Sequence, residues 1–120
     1  MAAKNLKNYA FKLFAQDLTE AVTITTTTQE LALEGQTVNM TVAAGVSGVA
    51  TLPEAPVGLV VVVTAANVNS TGDITLTDPK GTTYAFDADN DSVTLMAVDS
   101  SVNTNGDYYI VLSNTSVTVS

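Results

Sequence analysis

The stretch Asp73-Ile74-Thr75-Leu76-Thr77-Asp78-Pro79-Lys80-Gly81-Thr82-Thr83-Tyr84-Ala85-Phe86 decides the fold class. Ile74 and Leu76, then Tyr84 and Phe86, recur at period two, the spacing of a strand with one dry face. Between them Asp78-Pro79-Lys80-Gly81 signals a tight turn, because Pro fixes one φ angle and Gly is free to take a positive one. The stretch therefore reads as a hairpin of strands 73 to 77 and 82 to 86, with four large apolar side chains on its inner face.

The same texture extends in both directions. Val- and Thr-rich runs at 21 to 28, 30 to 33, 37 to 42, 48 to 52, 59 to 65, 92 to 98, 108 to 113 and 116 to 119 are separated by turn residues at the short spacing expected of a sandwich or barrel. Asn105-Gly106 is a turn signal before Tyr108, and residues 87 to 91 form a polar loop. Val93 with Leu95, and Val117 with Val119, each mark one face. The expectation is an all-β chain: a single antiparallel β-sandwich, jelly-roll-like, over residues 17–120, preceded by an arm at residues 1–16. Leu59-Val60-Val61-Val62-Val63 is apolar on both faces. That strand is either central to the fold or covered by a neighbouring subunit, with Leu59, Val61 and Val63 as the candidate oligomer interface.

Charge divides the chain at the same boundary. Lys4, Lys7 and Lys12 give the arm +3, whereas twelve carboxylates and Lys80 give the remainder −11, for a net charge of −8. With four lysines and no Arg, the chain lacks the clustered cations that nucleic acid requires. At 120 residues it can bury a core without crosslinks, and the absence of Cys removes disulfide and thiolate chemistry alike. The opening residues show no secretory signal and no run long enough to span a bilayer, so a cytoplasmic product is expected and the sequons at Asn69 and Asn114 carry no weight.

The catalytic inventory is thin. Without His, Cys or Arg, the usual base near neutrality, the thiolate nucleophile and the guanidinium clamp are all missing. Glu20, Glu30, Glu34 and Glu54 could in principle supply a carboxylate pair for glycoside hydrolysis, but nothing in their spacing pairs them. Asp87, Asp89 and Asp91 resemble the start of a calcium loop, yet Ser92 and Val98 stand where that loop needs Gly and Glu. The reading is a solvated acidic loop, no cofactor and no enzyme. Gly45-Val46-Ser47-Gly48 lacks the Lys of a phosphate-binding loop. Of Tyr108 and Tyr109, one ring is expected to pack inward beside Ile110, Val111 and Leu112.

In the arm, Leu6, Tyr9, Ala10, Leu13 and Phe14 fit one face of a helix, while Tyr9, Phe11, Leu13 and Ala15 alternate as in a strand, so its conformation stays open. Leu6, Tyr9, Phe11, Leu13 and Phe14 are too many large apolar groups for a permanently wet tail. Docking on another protein accounts for them better than a membrane surface does.

The run from Val49-Ala50-Thr51-Leu52-Pro53-Glu54-Ala55-Pro56-Val57-Gly58 into Leu59 to Val63, then Gly72 to Thr77, Ser92-Val93-Thr94-Leu95 and Tyr108 to Asn114, resembles small β-sandwich structural proteins of tailed bacteriophages. These are capsid decoration (cement) proteins and related head domains. That family usually closes with Trp where this chain has Tyr108 or Tyr109. The resemblance implies a virion protein on the outer capsid surface, a homotrimer bound to the major capsid protein. Lys4, Leu6, Lys7, Tyr9, Phe11, Lys12, Leu13 and Phe14 would be its anchor across neighbouring subunits. The rival readings are a fibre, tail or adhesin module that binds host glycan through Tyr84, Tyr108, Tyr109 and the 87 to 91 loop, and a minimal carboxylate hydrolase.

Overall fold

A computed structural model describes residues 19–33, 37–66, 68 and 72–120. The expected arm, residues 1–16, lies outside them, as does Glu34.

Among the described residues ten strands form: β1 (Thr19–Ile24), β2 (Gln29–Glu30), β3 (Thr37–Val42), β4 (Ser47–Thr51), β5 (Val60–Ala66), β6 (Asp73–Thr77), β7 (Thr83–Phe86), β8 (Ser92–Ala97), β9 (Tyr109–Thr115) and β10 (Thr118–Val119). They build two five-stranded sheets, ordered β1-β3-β5-β8-β9 and β10-β7-β6-β4-β2. Inward residues alternate with outward ones in β3 to β8, and the buried apolar side chains join in one core cluster. The fold is all-β and sandwich-like.

The expected antiparallel pairing is corrected. β1 with β3, β3 with β5, β2 with β4 and β4 with β6 are parallel, so both sheets are mixed, and the jelly-roll form expected with antiparallel neighbours does not describe these four ladders. The reason lies in the path of the chain. From β1 to β6 it changes sheet at every strand, and each return brings it back in the same direction. Parallel neighbours need a crossover of a dozen or more residues, and here a strand of the opposite sheet lies within each crossover. Thr37 thus pairs with Thr19 on one side and with Val62 on the other. Local turns take over later: β6 and β7 form the antiparallel hairpin read from the sequence, with Gly81 at φ 101°, and β8 pairs antiparallel with both β5 and β9.

β5 is the middle strand of its sheet, so the valine run is explained by the central position. Val61 and Val63 are buried in the chain's own core and Leu59 packs beside it. Burying a Val contributes about 1.5–3 kcal/mol, which accounts for such residues without a second subunit. The side chains of Val61 and Val63, named as a candidate oligomer interface, face the opposite sheet. On the outer face the strand presents Val60, 40% exposed, and the half-buried Val62.

Close approach between the sheets shows at Gly48 of β4. A Cβ built there would lie 2.7 Å from Cγ2 of Ile24 and 3.3 Å from Cγ2 of Val42. Glycine lets the end of β1 cross onto the second sheet at that corner. Near the C-terminal end, Val117 is buried while Val119 is exposed, so they do not share one inner face as expected. Ser116 takes a positive φ of 63°, and the Asn114 side chain accepts from the Val117 amide and donates to the Val117 carbonyl (2.9 and 2.8 Å). That clasp turns the chain out of β9 and sets Val117 inward at the entry to β10.

Candidate functional site

Two carboxylates, Asp78 and Asp91, are occupied by the fold. Asp78 is buried at the head of the β6–β7 turn. Its Oδ1 accepts from the amides of Lys80, Gly81 and Thr82 (2.9, 3.1 and 3.0 Å), and its Oδ2 accepts from the Tyr84 hydroxyl (3.1 Å). A short carboxylate at this place satisfies amides that the turn leaves unpaired. Tyr84 is held well above its ordinary range, first by burial and then by the negative charge of Asp78.

Asp91 plays the matching part in the 87 to 91 loop. It is buried, and its Oδ2 accepts from the amides of Asp87 and Ala88 at 3.0 Å each. Asp87 and Asp89 are exposed. The loop closes on its own backbone, with Asn90 at φ 70°. Among the described residues no three carboxylates gather into a cluster able to hold a metal ion. Of the four glutamates considered as a catalytic pair, Glu30 and Glu54 are exposed. Glu34 lies outside the described residues, and of Glu20 the structure describes only its backbone place in β1.

Two of the three tyrosines considered as a glycan platform face inward. Tyr84 and Tyr109 are buried; the Tyr109 hydroxyl donates to the Pro53 carbonyl. Burial first, and then the charges of Asp78 and Glu30, push the Tyr109 phenol up to about 12. Tyr108 remains half-buried against the core. Stacking on a sugar needs an open ring face, and only Tyr108 retains part of one.

The loop between β8 and β9 is built around Asn103. Its Nδ2 donates to the carbonyls of Asp99 and Asp107 and its Oδ1 accepts from the Asp107 amide, all at 2.8 to 2.9 Å. Asp99 accepts from the amide and the hydroxyl of Ser101 (2.9 and 2.6 Å), bonds that lower its pKa. Lys80 reaches from the β6–β7 turn to Asp107 at 2.7 Å, so the lysine outside the arm is held by the fold.

An open hollow of about 370 Å³ lies over β3, β5 and β8, lined by Thr37, Asn39, Thr64, Ala65, Ala66, Asn90 and Ser92. Thr64 donates to Oδ1 of Asn39 at 3.0 Å. Hydroxyls and amides there can hydrogen-bond a polar ligand, but they supply neither a base nor a nucleophile near neutrality.

The feature that sequence reasoning missed is β9. Tyr109 is buried, and after it Ile110, Val111 and Leu112 are 37%, 42% and 50% exposed in succession. Among the described residues β9 is the last strand of its sheet and pairs only with β8. Val111 faces Leu95 and Ser113 faces Thr94, leaving Leu112 in a bulge. Ile110 continues an outward row that runs through Met96 to Val60. An apolar triplet reads as core in a sequence; that it stands at an edge follows from the sheet order alone. No family model matches the chain, and neither does any curated protein.

Proposed function

We propose that the chain is a non-enzymatic structural virion protein that binds the outer surface of a phage capsid and stabilises it by bridging major capsid protein subunits. One observation carries the reading: an acidic body whose buried polar groups are satisfied internally, joined to a basic, apolar segment. Among the described residues no buried side-chain nitrogen or oxygen lacks a partner. Asp78 and Asp91 serve turns, and Glu30 and Glu54 are exposed. Such a body suits binding better than turnover.

In this reading Leu6, Tyr9, Phe11, Leu13 and Phe14 fill grooves between capsid subunits, and Lys4, Lys7 and Lys12 pair with acidic groups there. Sixteen extended residues span about 50 Å, enough to cross between subunits. Many copies on a symmetric lattice add avidity to weak single contacts. The test is co-sedimentation with empty capsids. The intact chain is expected to pellet with capsids and a form lacking residues 2 to 14 to stay in the supernatant, still folded by circular dichroism. Equal binding by the two forms rules out the arm as the anchor, and no binding by the intact chain rules out the capsid as partner.

A further inference from the structure

We infer that the open edge of β9 is an interface for a second copy of this chain, the two β9 strands pairing antiparallel about a two-fold axis so that two five-stranded sheets become one. The inference is independent of the capsid reading, since it concerns the free protein.

Three observations carry it. The first is the lack of protection. Natural edges are blunted by short length, charge, Pro or a bulge. The edge strands of the other sheet, β2 and β10, have two residues each, whereas β9 has seven, with no charged residue and no Pro, and only the bulge at Leu112 to interrupt it. The second is charge. Each chain carries −8, yet residues 108 to 120 contain no Asp, Glu or Lys. The outward residues beside β9, namely Ser92, Thr94 and Met96 of β8, are also uncharged. Two copies repel over their acidic surfaces and meet at least cost along this neutral strip.

The third is self-complementarity. A two-fold contact places the same patch on both sides. Antiparallel pairing centred on Val111 sets Ile110 of each copy against Leu112 of the other and Val111 against Val111. Apolar faces apolar at all three positions, and directly opposed pairs of this kind are the unit that stabilises a sheet. The outward row Val60–Met96–Ile110 would continue into the second copy. This assembly is two-fold, in place of the trimer implied by the resemblance.

Sedimentation equilibrium of the full chain at micromolar concentration tests it. The expected mass is twice that of the 12.4 kDa chain. Leu112→Lys is expected to halve that mass with an unchanged circular dichroism spectrum, while Val102→Lys, at an exposed loop position, leaves the dimer intact. The chain has no Cys, so Val111→Cys gives a single thiol, and mild oxidation is expected to yield a covalent dimer; this reading holds even where Leu112→Lys fails to fold. A monomer or a trimer in the full chain overturns the inference. So does a dimer that survives in folded Leu112→Lys. A dimer lost on deletion of residues 2 to 14 also overturns it, since the occupant of the edge would then be the arm.

Discussion

β5 and β9 are both seven-residue strands with apolar runs, Val60-Val61-Val62-Val63 and Ile110-Val111-Leu112, and they meet opposite fates. β5 has β3 on one side, β8 on the other and the second sheet across its inner face. β9 has β8 alone. Val63 is fully buried, whereas Leu112 is half exposed. Apolarity in a strand states a need for cover without saying what provides it. In β5 the other described strands provide it; along the outer edge of β9 none of them does.

One substitution made in both strands gives the largest contrast. Val63→Lys places an ammonium in the core without a partner, at a cost comparable to the whole stability of a domain, about 5–15 kcal/mol. The expected outcome is an unfolded or insoluble chain. Leu112→Lys leaves the charge in water beside an edge, with an expected change within about 0.5 kcal/mol in the monomer. Urea titrations followed by circular dichroism check both. A folded Val63→Lys variant would mean that the inner face of β5 is not the core.

The outline of this contrast was legible in the sequence and its outcome was not. Period-two alternation and turn residues located all ten strands within a few residues, and Asp78-Pro79-Lys80-Gly81 revealed its hairpin because a tight turn is a local device. Sheet membership is not local. Whether β3 returns beside β1 depends on where β2 travels, and alternation in β3 is the same for either neighbour and either direction. For the same reason, Val61 and Val63 could be read as an interface and Ile110 to Leu112 as core. Asp91 shows the same limit: beside Asp87 and Asp89 it has the composition of a ligand, but a short acid beside a turn also caps amides, and that use shows once the loop has closed. Lys4 to Phe14 lie outside the described residues, so the arm stands where the sequence left it.

The exposure of β9 is confined between two pins. At its start Tyr109 donates to the Pro53 carbonyl; at its end Asn114 clasps Val117. Tyr109→Phe removes the donor and leaves a carbonyl short of a partner, a loss of about 1–2 kcal/mol at neutral pH. The pH dependence has a definite sign. The folded phenol ionises at about 12 against about 10 in the unfolded chain. Unfolding therefore releases a proton between those values, and stability falls as pH rises through them, while it is full below about 10. Tyr84 acts in the same direction. Chemical denaturation across this window is expected to show a shallower alkaline decline for Tyr109→Phe than for the native chain, by up to one proton. An identical slope would mean that Tyr109 is open to solvent, and with it the root of β9.

The weakest pin is the ion pair that holds the loop entering β9. Lys80 and Asp107 meet at 2.7 Å, but their side chains are 40% and 29% exposed, and pairs in such settings contribute about 0–1 kcal/mol, less with added salt. Asn103 makes three hydrogen bonds inside the same loop, two of them to Asp107, and does not depend on the lysine. Lys80→Met is therefore expected to shift the urea midpoint barely, and the shift should vanish in high salt. Asn103→Ala is expected to cost more, about 1–2 kcal/mol, and to loosen residues 98 to 108 in amide exchange while β5 stays protected. If Lys80→Met instead exposed β9 amides as strongly as Asn103→Ala, the strand would be held by charge from the neighbouring turn. Its outer edge would then respond to ionic strength in a way that β5, paired along both edges, could not.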